Sequence, residues 1–336
     1  MSAAECVMIQ RSRGWLIALG AERQQLAADA APDELANCAL QLAKQAGVKH
    51  PSCILAPDSE SFFFATLSPS DDIDLRDRAA LTFELEDHLP IDAESMVADF
   101  AVVPSNDPAK TVAAIAIEID RWQGLVETIE SVGLTVRSIV PRAVLAASAL
   151  ADIASVDDAA ELLLVDNGHC DCVTLNKRIQ RTWKHLAINA ESLRRHRLLD
   201  SVGNEDVVVA GANPNQQSLI SQVYPGVRIV DQDSDELAVQ GARMPAGVRS
   251  SRSLDLRRGA LGPSDPLRAI GKQIRWAAVA ITLLLLALSI GGWWRARRIE
   301  RQIANVQIEQ DALFRQSFPD ARVPAALLKR VRSEHM

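Results

Sequence analysis

The chain opens on short apolar runs broken by polar pairs. Residues 5–10, 14–20 and 23–28 read as three strands, with polar breaks at 11–13 and 21–22. From residue 32 the apolar period lengthens. Leu35, Ala39, Leu42 and Ala46 fall on one face of a helix over 32–46, which Pro32 begins and Gly47 stops. A buried strand at 52–55 completes the order β-β-β-α-β. That order returns further on. Strands are predicted at 161–166, 172–175 and 179–183, with an Asp-Asn-Gly-His turn at 166–169, then a helix over 190–199 and an apolar strand at 206–210. Between the two sets lie an extended piece at 62–68 and a helix ending at His88-Leu89-Pro90, where the proline redirects the chain. Strands at 96–103 and 111–117, a helix over 120–132 and a strand at 134–139 follow. The pattern predicts an α/β fold with a repeated topology.

From about residue 231 to 271 large apolar residues become few among Asp, Ser, Gly, Arg and Pro, and the stretch reads as a flexible basic tether. It leads into 19 residues without a charge, WAAVAITLLLLALSIGGWW at 276–294. At 1.5 Å per residue such a helix is about 28 Å long, close to the hydrocarbon thickness of a bilayer. Trp276 stands at one end and Trp293 with Trp294 at the other, where interfacial rings belong. One membrane span is expected. Beyond it Ile299, Ile303, Val306 and Leu313 fall at coiled-coil spacing. Residues 295–336 are therefore expected to form an external helical segment, either dimerising with a second copy or merely continuing the span.

Charge sharpens this picture. The formal net charge is −7, yet residues 1–240 carry 19 basic against 36 acidic side chains, so the excess of base lies around the span. An acidic head argues against a nucleic-acid binder and fits a domain held off an anionic membrane by a basic neck. Basic residues flank both ends of the span in nearly equal number, so they do not orient it. The first 30 residues lack the pattern of an export signal, and Cys6, Cys38, Cys53, Cys170 and Cys172 all precede the span, which suits a reducing compartment. The head is expected in the cytoplasm of a bacterial cell, with the tail outside its inner membrane.

Catalytic motifs are absent from the sequence. It contains no GxxxxGK[ST], HExxH or GxSxG. The cluster His169-Cys170-Asp171-Cys172, with His185 further on, invites a metal reading. Its cysteines are one residue apart, however, and would share a strand face as small core residues, so no metal is expected. Glu84, Glu86 and Asp87 spread around a helix and read as solvated surface.

The stretch 80–100, ALTFELEDHLPIDAESMVADF, resembles a signature of the PilM/GspL group of actin-like assembly proteins, in which a helix ends in a His-apolar-Pro turn and a strand follows. The next segments, including Gly133-Leu134-Thr135-Val136 and the small-residue run from Pro141 to Leu150, look like the rest of that group's module, over 79–150. The resemblance implies an actin-like head over 1–230, built as a duplicated, ribonuclease H-like βββαβα unit. Such a fold binds ATP between its halves. Asp166 and Gly168, leading to Thr174, look like the second phosphate turn, and Gly211, within Ala210-Gly211-Ala212-Asn213, looks like a reduced adenosine motif. Where the first turn should carry Asp-x-Gly, this chain has Gln10-Arg11-Ser12-Arg13-Gly14. About 22 residues separate Trp183 from Asp206, which leaves little room for a subdomain closing over the base. These four residues thus form a vestigial site. No cofactor is expected, with ATP as the alternative.

An actin-like head, a tether, one span and an external segment resemble the type II secretion system protein L (GspL) family, as does DALFRQSFPDARV at 311–323. That resemblance implies an inner-membrane platform subunit. Its head would dock the secretion ATPase (the E-type subunit), its span and tail would pair with the M-type subunit, and the whole would couple the motor to the periplasmic pseudopilus without being an enzyme. The family's small ferredoxin-like outer domain would only begin here, in a short or truncated tail. The alternatives are a type IV pilus alignment protein resembling a PilM/PilN fusion, a membrane-anchored actin-like ATP-binding enzyme, and a membrane-tethered signalling or division protein.

Overall fold

The computed structural model describes residues 5–70, 73–104, 110–156, 160–176, 179–199, 206–244, 254–263 and 266–317. The chain divides into two units, Met1–Pro263 and Ser264–Met336.

The first unit holds two five-stranded sheets of the same plan. In the first half β1 (Cys6–Arg11), β2 (Gly14–Leu19) and β3 (Glu22–Leu26) form an antiparallel meander, then α1 (Pro32–Gln45) crosses to β4 (Ser52–Ala56). β4 lies parallel to β1, and β8 (Thr135–Ile139) adds beside it, giving the order β3-β2-β1-β4-β8. In the second half β9 (Ala160–Asp166), β10 (His169–Asn176) and β11 (Ile179–Ala187) are followed by α5 (Ala190–Leu199) and β12 (Asp206–Ala210). With β13 (Arg228–Val230) the order is β11-β10-β9-β12-β13, strand for strand the same. The inner strands read as runs because they are covered on both faces, whereas the edge strand β3 is largely exposed. Cys6, Val7, Met8 and Ile9 are all buried, and such strands show apolar continuity rather than alternation.

Alternate residues of the first sheet enter different cores. Val7, Ile9, Leu16 and Ile54 join a cluster shared with Leu162, Leu164 and Val173 of the second sheet. The layer between the sheets is made by α4 (Arg142–Ile153) and α7 (Ser234–Arg243), rich in alanine. A Cβ built on Gly241 of α7 would lie 2.0 Å from the Leu145 carbonyl oxygen of α4, so only glycine lets these helices approach as they do. On the outer face Met8, Ile17 and Leu55 pack against α1 and α3 (Ile119–Ser131), where the Trp15 and Trp122 rings meet edge-on with centroids 6.3 Å apart.

Between β4 and α3 the chain builds a separate antiparallel sheet, β5-β7-β6, from β5 (Phe63–Leu67), β6 (Met96–Val103) and β7 (Thr111–Glu118), with α2 (Arg78–Glu86) against it. The expected module over 79–150 therefore divides. Its first part makes this small sheet, while α3, β8 and α4 belong to the first half's own core.

The stretch expected as a tether from 231 is ordered structure as far as the description reaches. After β12 come α6 (Pro214–Val223), β13 and α7, so the second half repeats the whole βββαβαβα plan rather than stopping at 230. Leu237, Ala238, Val239 and Ala242 of α7 are buried. Residues 254–263 then return to the first half. Leu254, Leu256 and Leu261 enter its outer core, and the Leu256 N–H donates to the Ile139 carbonyl at 2.8 Å. The Asp255 carboxylate accepts from Ser138 Oγ at 2.6 Å and from Ile139 N at 2.9 Å. Arg257 is buried, donating to the Val136 carbonyl and pairing with Glu130. The reason is charge partnering at a distance: polar residues here are satisfied by groups more than a hundred positions earlier. Residues 245–253 and 264–265 lie outside the description.

The described residues of the second unit form one helix, α8 (Pro266–Ser317), of 52 residues. Among the described residues it contains the one stretch long and apolar enough to cross a membrane, Trp276–Leu313, and its most apolar window is wholly unburied. Trp293 carries the Arg297 guanidinium over its ring at 4.0 Å. The helix runs through Ile299, Ile303 and Val306 without a break, and those side chains are exposed. The Phe318-Pro319 pair and everything after it lie outside the described residues.

Candidate functional site: the cleft between the two halves

Where the two halves face each other a cleft of about 470 Å³ opens, lined by Arg11, Arg13, Gly14 and Trp15 from the first half and by Asp166, Asn167, Gly211, Asn213 and Asp235 among others from the second. Its walls are strand ends and helix starts. Arg11 closes β1, Asp166 closes β9, and Asp235 sits in the first turn of α7, where a carboxylate complements the helix dipole. Arg142 is the first residue of α4, directly after Pro141.

The central group is Arg142, with a side chain only 4% exposed. Its Nη1 donates to Asp166 Oδ2 at 2.6 Å and to Asp235 Oδ1 at 3.2 Å. Its Nη2 lies 3.2 Å from Asp58 Oδ1. Arg11 Nε forms an ion pair with the other oxygen of Asp235 at 2.6 Å. Three carboxylates thus converge on one guanidinium, whose planar fork holds several acceptors at once. Burial alone would lower the Arg142 pKa, but Asp58, Asp166 and Asp235 outweigh it and hold the group above its ordinary value. For Asp58 and Asp235 burial raises the carboxyl, and Arg142 opposes the rise.

Beside this cluster the halves are joined again. Ser59 Oγ donates to Asp171 Oδ2 at 2.7 Å, and the other oxygen of Asp171 meets His185 Nδ1 at 2.8 Å and accepts from Trp183 Nε1 at 3.2 Å. The hydrogen bond to Asp171 raises the His185 pKa. Gln10 Oε1 accepts from Ser61 Oγ at 2.7 Å and from the Asp58 N–H at 3.2 Å, which fixes the loop carrying Asp58.

Of the four residues expected to form a vestigial nucleotide site, Asp166 and Gly211 line the cleft. Gly211 has φ +78°, and a Cβ there would come within 2.3 Å of the Val165 carbonyl oxygen, so the ends of β9 and β12 approach only through glycine. Gly168 lies in the β9–β10 turn behind Asn167, which takes φ 50°, and its N–H donates to the Asp166 carbonyl at 2.8 Å. Thr174 does not belong with them. Val173 and Leu175 face the layer between the sheets, whereas Thr174 shares the opposite face of β10 with Cys170 and Cys172, and its Oγ1 accepts from Thr182 Oγ1 at 2.9 Å. The alternation of the strand turns it away from the cleft.

Sequence reasoning missed Arg142, Asp58 and Asp235. A signal existed for the first: Arg142 is the lone charge in an otherwise apolar run, VPRAVLAASAL, where a charge implies a buried partner. The N-terminus of α6, beside the cleft, is already satisfied. Asn213 Oδ1 accepts from Gln216 N at 3.0 Å, and Gln216 Oε1 accepts from Asn213 N at 2.9 Å. The cleft can hold a small polar or charged group, but the acidic centre that a divalent cation would need is taken up by arginine.

No protein-family model matches the sequence, and no curated protein matches it. Solved structures do match in fold. A chain of the PilM-PilN type IV pilus biogenesis complex is similar with a TM-score of 0.53 at 13% identity, over 78% of this chain and 99% of that one. The cytoplasmic domain of EpsL, an inner-membrane component of the Vibrio cholerae type II secretion system, gives 0.47 at 13% identity, over 76% and 98%. A Bacteroides thetaiotaomicron protein of unknown function with an actin-like ATPase fold gives 0.45 at 9%, over 70% and 95%. The chain has the actin-like ATPase fold, with one long apolar C-terminal helix.

Proposed function

We propose that this protein is a membrane-anchored, actin-like component of a type II secretion or type IV pilus machine that works as a scaffold rather than an enzyme. The observation that carries the reading is Arg142, a buried guanidinium at the point where Asp58, Asp166 and Asp235 converge. An internal cation fixed there does the neutralising work that a Mg²⁺-nucleotide would otherwise do, and catalysis needs carboxylates free to organise metal and water. In this reading Asp166, Gly168 and Gly211 are remnants of a nucleotide site. The head lies in the cytoplasm and docks the secretion ATPase, α8 crosses the inner membrane, and the tail meets an M-type subunit and the pseudopilus machinery outside.

The likeness to the PilM-PilN complex favours a second reading within the same class, a pilus alignment protein with head and membrane subunit in one chain. One experiment tests the scaffold claim for both. The full chain in detergent is melted with and without millimolar Mg²⁺-ATP. A ligand at 100 times its dissociation constant adds about 2.7 kcal/mol, enough for a shift of a few degrees. No shift is expected. A shift that disappears in Asp166→Ala would make the head a nucleotide-binding one. Co-purification with the assembly ATPase and the M-type subunit of either machine then separates the two systems.

A further inference from the structure

On the face of the second sheet turned away from the cleft, three side chains with metal-binding atoms meet in an apolar layer, and a fourth stands beside one of them. Glu161 of β9, Cys172 of β10 and His196 of α5 are all buried, and their ligand atoms lie within 4.8 Å of one another. Cys170, two residues along β10 on the same face, places its sulfur 3.9 Å from that of Cys172. His196 Nε2 is 2.7 Å from Glu161 Oε1, and the Tyr224 hydroxyl donates to the same oxygen at 3.4 Å. Leu163, Val165, Leu193, Val209 and Ile220 surround them.

Two independent features need explaining. The first is a carboxylate 1% exposed in an apolar layer, whose one adjacent cation in the cluster is His196, charged only when its imidazole is protonated. The second is the hold of the sheet on α5. Leu193 and His196 are the buried residues of that helix, while Leu198 and Leu199 are 83% and 69% exposed. A helix fastened by one leucine has little apolar anchorage of its own.

We propose that Glu161, Cys170, Cys172 and His196 form a buried structural zinc site that ties α5 to β9 and β10. The donor set is one carboxylate, one imidazole and two sulfurs. Sulfur and nitrogen exclude Mg²⁺ and Ca²⁺, and four ligands with no open position suit tetrahedral Zn²⁺. Zinc bonds of about 2.0–2.3 Å imply ligand atoms about 3.3–3.8 Å apart, so a metal enters by parting His196 from Glu161 and by turning Cys170, which stands outside the 4.8 Å group, toward the other three. Each ligating thiol gives its proton to solvent on binding, so Glu161 and two thiolates around Zn²⁺ leave one net negative charge, the same balance as a Cys₃His zinc site. The ligand spacing in sequence hid the site. Cys170 and Cys172 share a strand face, as a core pair would, and their partners come from a strand before and a helix after.

The test uses the full chain purified in detergent without chelator or a histidine tag. Elemental analysis should find about one zinc per chain. Cobalt exchanged into it should give the intense visible bands of a tetrahedral site with a sulfur-to-cobalt charge-transfer band, weakened in Cys170→Ser. Cys172→Ser and His196→Gln should lose the metal while circular dichroism keeps the wild-type helix and strand signal. Failure of folded wild-type chain to carry zinc, or to take it up when zinc is added, overturns the proposal and leaves a hydrogen-bonded core. Retention of the metal in both variants overturns it too, because the metal then sits elsewhere. Where a variant does not fold, the wild-type cobalt spectrum decides: a sulfur-free or octahedral spectrum overturns the site.

Discussion

At the scale of single residues the molecule turns on Arg142. Replacing it by methionine keeps the bulk of the chain but leaves Asp58, Asp166 and Asp235 facing one another with only Arg11 nearby. Arg142→Met should cost about 3–5 kcal/mol, the usual penalty for removing one partner of a buried ion pair, measured by denaturant unfolding in detergent. The deficit should shrink on acidification. Asp58 and Asp235 already have raised pKa values, and losing Arg142 raises them further. A carboxyl raised in the folded state binds more protons there, so its contribution to stability falls as pH climbs through the window between unfolded and folded values. A deficit independent of pH would mean that the aspartates are solvated instead. His185 gives a second handle. Its pKa is raised by Asp171, so its stabilising effect is full below the ordinary histidine value of about 6.5 and is lost as pH rises through the raised one. His185→Gln should flatten the stability profile in that range, read from urea midpoints.

At the scale of elements, glycine decides how closely helices approach. Gly241→Ala would drive a Cβ into the backbone of α4, which cannot give way as a flexible side chain can, and should cost about 1–3 kcal/mol. Gly124, inside α3 with open space where its Cβ would be, is the control: Gly124→Ala should gain up to about 1 kcal/mol. The melting temperatures should therefore move in opposite directions. The same helices explain what could be read from the chain. The strands β1, β4, β9 and β12 were legible because burial on both faces makes each an apolar run. α7 was not, because Leu237 and Val239 are its only large buried residues and stand two apart rather than at helical spacing, the rest of its buried side being Ser234, Ala238, Gly241 and Ala242. Residues 254–261 read as tether for a related reason. Their Leu-x-Leu alternation is short, and the groups that satisfy Asp255 and Arg257 lie at 99, 130, 136, 138 and 139. At the cleft Asp166 and Gly211 were found through the resemblance of their segments to the actin-like phosphate turn and adenosine motif, whereas Asp58 and Arg142 meet only through the fold.

At the scale of the whole molecule the chain couples an acidic head to one apolar helix. In the proposed reading the full chain stays in the membrane fraction through alkaline carbonate and leaves it in detergent, and a chain ending at Pro263 does not sediment with membranes. The proposed orientation can be tested with thiols, because all five cysteines precede the span. Gln316→Cys should react with an impermeant maleimide on cells whose outer membrane is permeabilised, while the parent chain should not. Silence of Gln316→Cys until the inner membrane is opened as well would reverse the topology, since the parent chain's five cysteines are buried and do not report it.

The route by which the chain leaves the head has a mechanical consequence. The second half ends with α7, yet residues 254–263 are stitched to β8 and α3 of the first half, with a further bond from the Asp255 N–H to Asp99 of the small sheet at 2.7 Å. Tension arriving along the backbone from beyond Pro263 therefore bears on the first half and is spread over a row of hydrogen bonds and buried leucines before it reaches α7. The second half, with its Glu161, Cys172 and His196 cluster, is shielded from the load for as long as that row holds. A pull that tears the head apart should begin by peeling Leu261, Arg257 and Leu256 from the first half, and only then load α7 and the sheet of the second half.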